Sequence, residues 1–590
     1  MGLLGILSLI QIGVIPGLLI TAQIKTLSPY DRTLLVLPLS CIANYFLVVS
    51  LTILGAYTQT ALISVLMVEI FALIFYTNRN LLRNSYAIDL SALVGKEKVQ
   101  NNTIRWIAIS LLFFFTILIF KQIGTVFTGA DVVVNWNRWA IDWFNGISPR
   151  STSHYPQMLP VLYSITYQFI GTAEVELFAK LVPVFFTIML MLTFLRIASL
   201  HKTNNTLYLL ALILFWTMFS RMESSQSAFS GYADIPLAYF VLVSIFIFSL
   251  ARADLDKINS GRSLGDTGQN KSNAAYLVVS AVIIAGGALT KHSALFLAVV
   301  MPVAWYFHFR NTTTLRQILN AYLIMLVIAG HWFIYKQIQI YSGADSSNLQ
   351  YLSEIVSLPW YAKLWNGIAM VSSKISWLWI PIFIAGLFTP LGRAHAVWIF
   401  IPFFILWAIF ASYDYRNLIL ALPSLAFILA SGMYKLHEYF NKTQAGSRIY
   451  RGTAKAVLLL LFTAIIYILG TPKISSDLMA LNNSAKRAIG VSGFNEQLYA
   501  FFKVNPEPAR IASTYYALSH LPGLKDRDLP ASCNDLELLA DNHAARYLIV
   551  EAHCPAEVSA TLASKYKKRL EGKNLIFYEV VAKHEAQGSL

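Results

Sequence analysis

The chain has 590 residues, of which 56% are hydrophobic and only 13% are charged. Soluble domains average about 45–50% apolar and about 25% charged residues, so this composition excludes an ordinary soluble protein. The formal net charge of +15 is not accompanied by a patch of interleaved basic and aromatic residues, and it therefore does not indicate nucleic-acid binding.

Apolar blocks long enough to become membrane-spanning helices recur along the chain. A bilayer core needs about 20 apolar residues per helix, and lipid offers no partner to backbone polar groups outside one. Examples are Leu34–Leu54, Ile107–Phe120, Leu177–Leu195, Leu207–Phe219, Ile235–Leu250, Leu319–Tyr335, Val397–Phe410, Leu418–Leu429 and Ala456–Leu469. The pattern predicts a polytopic α-helical membrane protein with about 14 transmembrane helices.

Lysine and arginine collect in alternate connections between these blocks, for example in Arg79–Arg105 and Arg252–Lys271. The connections Phe127–Pro156 and Gly343–Ser373 carry few cations for their length. Because basic loops stay in the cytoplasm, the chain beyond Gly470 is expected on the other side. We therefore expect a multi-pass bacterial inner-membrane protein with a periplasmic tail, its basic loops facing anionic membrane lipids.

The tail is predicted to be a small soluble α/β domain. Arg510–Tyr516, Ala545–Glu551 and Asn574–Val581 are rich in strand-forming residues, and Ala556–Lys567 has helical character. Cys533 and Cys554 are the two cysteines of the tail, and a disulfide between them is expected if the tail is periplasmic. Two free thiols in a cytosolic tail are the alternative.

These features divide the chain into three parts. They are N-terminal transmembrane helices with a cytoplasmic loop (1–105), a central transmembrane domain (106–470) and the periplasmic α/β domain (471–590).

Isolated ionisable residues fall at one predicted end of the spans. They are Asp131, Asp234, Lys291 with His292, Lys336 and Arg416. Because an ionisable group at membrane depth is costly, each is a functional candidate. The two aspartates also fit helix caps, and the cations also fit side chains that extend from helix ends to water. The residues alone leave both interpretations open.

A series of short motifs from Trp106 to Lys435 resembles the GT-C superfamily of integral-membrane glycosyltransferases. The branch that it is most similar to contains the protein mannosyltransferases and aminoarabinose transferases. The motifs are Asp131 followed by Ala140, Gly146 and Pro149, then HYPQMLP (154–160), GYADIPLA (231–238), GGALTKHSAL (286–295), HWFIYK (331–336) and YDYRNLILALP (413–423). The resemblance makes the central domain the GT-C-like catalytic part.

The resemblance implies an inverting glycosyltransferase at the external face of the membrane. It would move a sugar from a polyprenyl-phosphate-linked donor to a glycan, lipid or protein acceptor. Asp131 would be the base, with Asp234 as a second catalytic carboxylate. Four residues are expected to bind the donor phosphate: Lys291, His292, Lys336 and Arg416. Five are expected to line the sugar or acceptor pocket: Arg138, His154, Tyr155, Arg221 and Glu223.

The family often has an acidic pair where this chain has Asp131 alone. Since one carboxylate makes a poor divalent site, no metal ligand is assigned, no cofactor is certain and a divalent cation stays open. A polysaccharide ligase or polymerase without a catalytic aspartate is one alternative function. A transporter or flippase of lipid-linked sugars is another, although such proteins carry charges midway along broken helices.

Overall fold

A computed structural model describes residues 1–24, 27–81, 127, 132–149, 152, 155–200, 205–222, 231–259, 266–309, 313–341, 359–410, 415–443, 493–506, 509–515, 518, 524, 527–551, 554–572 and 575–580. Three predicted site residues, Asp131, His154 and Glu223, lie outside these ranges. The predicted spans Ile107–Phe120 and Ala456–Leu469 lie outside them as well.

The first of two compact units takes in residues 1–123, 139–173 and 178–477, and its described part is helical. The helices up to the end of this unit are α1 Gly2–Gly13, α2 Ile15–Ala22, α3 Pro29–Ile53, α4 Gln59–Leu81, α5 Arg138–Phe144, α6 Met158–Ile170, α7 Leu177–Leu200, α8 Asn205–Met222, α9 Asp234–Asn259, α10 Asp266–Thr290, α11 Leu295–Phe309, α12 Leu315–Tyr341, α13 Trp360–Ile375, α14 Trp379–Leu387, α15 Pro390–His395, α16 Ile401–Phe410 and α17 Leu422–Thr443. A π-helical turn covers Ala396–Phe400, and 3₁₀ turns cover His292–Ala294 and Tyr415–Ala421. A second π-helical turn, Val132–Asn137, belongs to the other unit.

Eight helices in the described ranges are long and apolar enough to cross a membrane, or nine if the pair α13 and α14, bent by 108°, is one span. Four shorter apolar helices accompany them: Met158–Ile170, Leu210–Phe219, Ala274–Thr290 and His292–Phe307. The chain is therefore a multi-pass membrane protein. The number of about 14 spans stays a prediction, since two of the apolar blocks lie outside the described residues.

The two most enclosed spans of the first unit carry two of the predicted site residues, Asp234 and Arg416. The span Asp234–Ala251 is 89% buried and the span Tyr415–Tyr439 is 83% buried, whereas Gln59–Tyr76 is only 11% buried. Because polar groups are costly in lipid, the enclosed spans are the places where charged side chains can be satisfied by protein partners.

The second unit takes in residues 478–590 together with 124–138 and 174–177. Its five-stranded sheet has the order β2-β1-β3-β5-β4. The strands are β1 Ile511–Ser513, β2 Asp528–Pro530, β3 Tyr547–Glu551, β4 Lys567–Glu571 and β5 Leu575–Glu579, and the helices are α18 Gly493–Val504, α19 Asp535–Asp541 and α20 Ala556–Lys565. β1 pairs in parallel with β2 and β3, and β5 pairs antiparallel with β3 and β4.

Both faces of this sheet are covered. Phe494, Leu498 and Phe502 of α18 pack on one face. Leu536 of α19 and Leu562 of α20 pack on the other, and this second cluster includes Cys554. The three strands and the helix predicted in the tail are present at β1, β3, β5 and α20. A disulfide joins Cys533, which follows β2, to Cys554, which follows β3.

Candidate functional site

Asp234 and Lys291 form a buried ion pair in the first unit. The Nζ atom of Lys291 lies 2.8 Å from Oδ1 of Asp234, and the two side chains are 9% and 4% exposed, respectively. Asp234 is the first residue of α9 and follows Gly231, whose φ of 101° is readily adopted only by glycine. The aspartate is thus both the start of a helix and the partner of a buried cation.

A pair of glycines allows the two helices that carry this ion pair to approach closely. A Cβ atom on Gly286 of α10 would lie 2.6 Å from the Phe240 ring of α9, and one on Gly287 would lie 3.3 Å from Cβ of Phe240. α10 ends four residues later at Thr290, and Lys291 takes an extended conformation before the 3₁₀ turn His292–Ala294. The glycines of the motif GGALTKH therefore allow the two helices to pack closely, and its lysine forms the buried ion pair.

His292 joins the ion pair to the aromatic side chains of the first unit. Its ring lies edge-on to Tyr155, with ring centroids 5.1 Å apart, and Tyr155 lies 6.1 Å from Trp139 of α5. Gln157 accepts a hydrogen bond from Trp143 Nε1 and donates one to the carbonyl of Tyr155. Both His292 and Tyr155 are half-buried, so they form an edge of the site that a polar ligand can contact.

Arg416 approaches the same region on a third element. It lies in the 3₁₀ turn Tyr415–Ala421, which packs against α9 and against the turn His292–Ala294. Its guanidinium is 5.6 Å from the ring centroid of Tyr232, two residues before Asp234. Lys374 of α13 lies over the adjacent Tyr415 ring at 4.3 Å. Sequence reasoning missed Tyr232 and Lys374, although the GYAD motif contains the former.

Lys336 has its described contacts on its own helix. It is fully buried in α12, donates to Oε1 of Gln339 at 2.9 Å and lies 5.8 Å from the Trp332 ring centroid. Gln339 donates to the hydroxyl of Tyr335, which in turn donates to Ser148 Oγ. These contacts tie the end of α12 to the segment after α5, and they do not include Asp234 or Lys291.

Two other predicted residues lie elsewhere. Arg221 is in the last turn of α8. Arg138 belongs to the second unit, where its Nη1 donates to the backbone carbonyl of Asp528 at 3.0 Å. A buried carboxylate of that unit, Glu176, was missed by sequence reasoning. No local signal marks it, because its partners come from a segment some 40 residues earlier in the chain.

The arrangement brings together charges that suit an anionic ligand. A carboxylate, an ammonium group, a guanidinium group and an imidazole lie on three packed elements of the first unit. The described residues include no group of three or more His, Cys, Asp or Glu side chains that could hold a metal ion. Lys291 pairs with Asp234, and the guanidinium of Arg416 is a group that can bind a phosphate through two parallel hydrogen bonds.

Similarity to solved structures is low in sequence but extends over most of the chain. The structure of ArnT from Cupriavidus metallidurans bound to undecaprenyl phosphate is 12% identical, covers 80% of this chain and 98% of that chain, and has a TM-score of 0.49. The archaeal oligosaccharyltransferase AglB from Archaeoglobus fulgidus, in complex with an inhibitory peptide and a dolichol-phosphate, is 13% identical, covers 79% of this chain and 73% of that chain, and has a TM-score of 0.40.

No family model matches the chain, and no curated protein matches it. With TM-scores below 0.5, the structural likenesses assign no reaction, and the chemistry has to be argued from the residues of this chain.

Proposed function

We propose that this protein is an inverting glycosyltransferase that uses a polyprenyl-phosphate-linked sugar as donor and a glycan, lipid or protein as acceptor. The reaction takes place at the external face of the inner membrane, and the tail is periplasmic. The observation that carries the proposal is the buried pair of Asp234 and Lys291, which lies beside His292 and packs against the element bearing Arg416. Such a concentration of charge in enclosed spans is costly unless it serves binding or catalysis.

The roles follow from charge. Asp131 takes the proton of the acceptor hydroxyl while the acceptor oxygen forms a bond to the anomeric carbon. The bond between that carbon and the phosphate oxygen breaks, the polyprenyl phosphate leaves, and in-line displacement inverts the carbon. Arg416 and Lys336 stabilise the negative charge that grows on the leaving phosphate.

The ion pair is proposed to contribute to binding of the sugar. Lys291 donates to Oδ1 of Asp234, and the carboxylate would also accept hydrogen bonds from sugar hydroxyls. His292 and Tyr155 present an imidazole and a phenol at the edge of the same cluster. Arg138, Arg221, His154 and Glu223 remain proposed contacts to the sugar or acceptor.

The test is release of undecaprenyl phosphate by purified protein in nanodiscs, supplied with a panel of undecaprenyl-phosphate sugars and membrane-lipid acceptors. Wild type is expected to release the carrier, and Asp131→Asn is expected to lose on the order of 100-fold or more in rate. Asp142→Asn is the matched control, since it removes a carboxylate from the same region. Thermal unfolding of each variant shows that loss of rate is not loss of folding.

Other results assign other functions. Equal release by wild type and Asp131→Asn removes that carboxylate from the chemistry and favours a ligase or polymerase. Absence of release from every donor, together with movement of a labelled lipid-linked sugar across the membrane of proteoliposomes, favours a transporter or flippase.

A further inference from the structure

Glu176 is a buried carboxylate that connects two points of one chain segment. Its Oε2 accepts a hydrogen bond from the backbone N–H of Phe127 at 2.7 Å, and its Oε1 accepts one from Nδ2 of Asn137 at 2.9 Å. Glu176 is 4% exposed, Asn137 is 2% exposed and Phe127 is fully buried. Both carboxylate oxygens of Glu176 thus act as acceptors from this segment.

The segment between these two points is the one that contains Asp131. The π-helical turn Val132–Asn137 follows that residue directly and ends at the Asn137 amide held by Glu176. π-Helical turns are rare and are found frequently at functional sites. Glu176 holds this turn at its last residue.

The tail domain holds the next residue of the same segment. Arg138 Nη1 donates to the carbonyl of Asp528, the first residue of β2. β2 is an edge strand, paired on one side with β1. Residues 124–138, 174–177 and the tail form one compact unit, so the segment is integrated with the tail domain.

We propose that Glu176 and Arg138 are positioning residues for the chain segment 127–138, which contains Asp131. The tail domain supports this segment through its contact with Arg138. The inference rests on the proposed function for the role of Asp131. It gives the tail a task in the reaction itself, because the chain is held on both sides of Asp131, at Phe127 before it and at Asn137 and Arg138 after it. A displacement of about 1 Å in such a group can reduce the rate on the order of 100-fold.

The test uses a pair of substitutions that exchange the hydrogen-bonding roles. Glu176→Gln loses the charge and one acceptor oxygen, and Asn137→Asp sets a carboxylate against Glu176. In the double variant, the amide of the new glutamine can donate to the new aspartate, while its oxygen accepts from Phe127. Glu174→Gln is the matched control, because Glu174 is exposed two residues away.

Two measurements are made on the full-length protein in nanodiscs. The first is hydrogen exchange of the peptide 127–138, which needs no substrate. Each single variant is expected to exchange faster than wild type, the double variant and Glu174→Gln to match wild type, and Arg138→Met to expose both this peptide and β2. Unchanged exchange in folded Glu176→Gln overturns the inference whatever the activity.

The second measurement is carrier release at varied donor concentration. The single variants are expected to lose about 10- to 100-fold in kcat with donor KM within about twofold, and the double variant is expected to recover most of kcat. Faster exchange with unchanged kcat overturns the link to the reaction. If wild type releases no carrier, the proposed function fails, and the exchange data still decide whether Glu176 holds the segment.

Discussion

Asp234 and Lys291 are 57 residues apart in the chain, and each is ambiguous when it is considered alone. The sequence alone favours a helix cap for Asp234, and Lys291 also fits a cation that extends from a helix end to water. Their pairing depends on the approach of α9 to α10, which Gly286 permits and which no local pattern reports. The individual residues could therefore be predicted, whereas the ion pair could not.

Neutralising one member of this pair is expected to destabilise the protein more than neutralising both. Asp234→Asn or Lys291→Met leaves a buried charge without its partner, at a cost of about 3–5 kcal/mol. The double variant removes both charges and is expected to recover most of that loss. Thermal unfolding in detergent measures the three effects, and carrier release is expected to stay low in all three variants.

The exposed pair Lys435–Glu438 provides the comparison. Its side chains are 45% and 39% exposed, so Lys435→Met is expected to change stability by less than about 1 kcal/mol. A double variant of the buried pair that is no more stable than either single variant would contradict the argument from uncompensated charge.

At the scale of elements, α14 and α17 cross at two glycines. A Cβ on Gly386 would lie 2.4 Å from the carbonyl oxygen of Ile428, and one on Gly432 would lie 2.0 Å from that of Ile382. Small residues allow membrane helices to pack backbone to backbone. Because α17 continues directly from the 3₁₀ turn of Arg416, this crossing also fixes the position of that cation.

Gly386→Ala and Gly432→Ala are each expected to lower stability by about 1–3 kcal/mol, since the clash is with backbone that cannot rotate away. Their effects are expected to be less than additive, because the first methyl group already separates the helices. Unfolding of the single and double variants in detergent measures both statements. Gly330→Ala in α12, where a Cβ meets nothing within 4 Å, is expected to leave stability unchanged or raise it.

The elements that could be predicted are those with a strong apolar or strand-forming pattern. The buried strands β1, β3 and β5 show such a pattern, whereas β4 reads KKRLE and is mostly exposed at an edge of the sheet. Charged residues on an edge strand discourage pairing with other chains and remove the alternation that marks a strand. The bend between α13 and α14 was missed for a similar reason, since composition does not reveal the direction of a helix.

At the scale of the whole molecule, two independent features predict the side of the membrane on which the tail lies. The distribution of Lys and Arg predicts that the basic connections face the cytoplasm and that the tail lies outside it. The disulfide Cys533–Cys554 requires an oxidising compartment to persist. The first feature belongs to the loops and the second to the tail. If the number of spans were wrong by one, the two features would therefore predict opposite sides of the membrane for the tail.

Thiol labelling in intact spheroplasts tests this orientation. The variant Cys41→Ala lacks the buried free thiol, so any label on it reports the tail cysteines. An impermeant maleimide is expected to leave this variant unlabelled until an impermeant reductant opens the disulfide, and then to label two thiols without lysis. Labelling that requires lysis would place the tail in the cytoplasm, and it would also move the proposed reaction away from the external face. The further variant Cys554→Ser is expected to label one thiol without reductant, because Cys533 then has no disulfide partner and is the less buried of the two cysteines. That result separates an accessible tail from a disulfide that the reductant fails to reach.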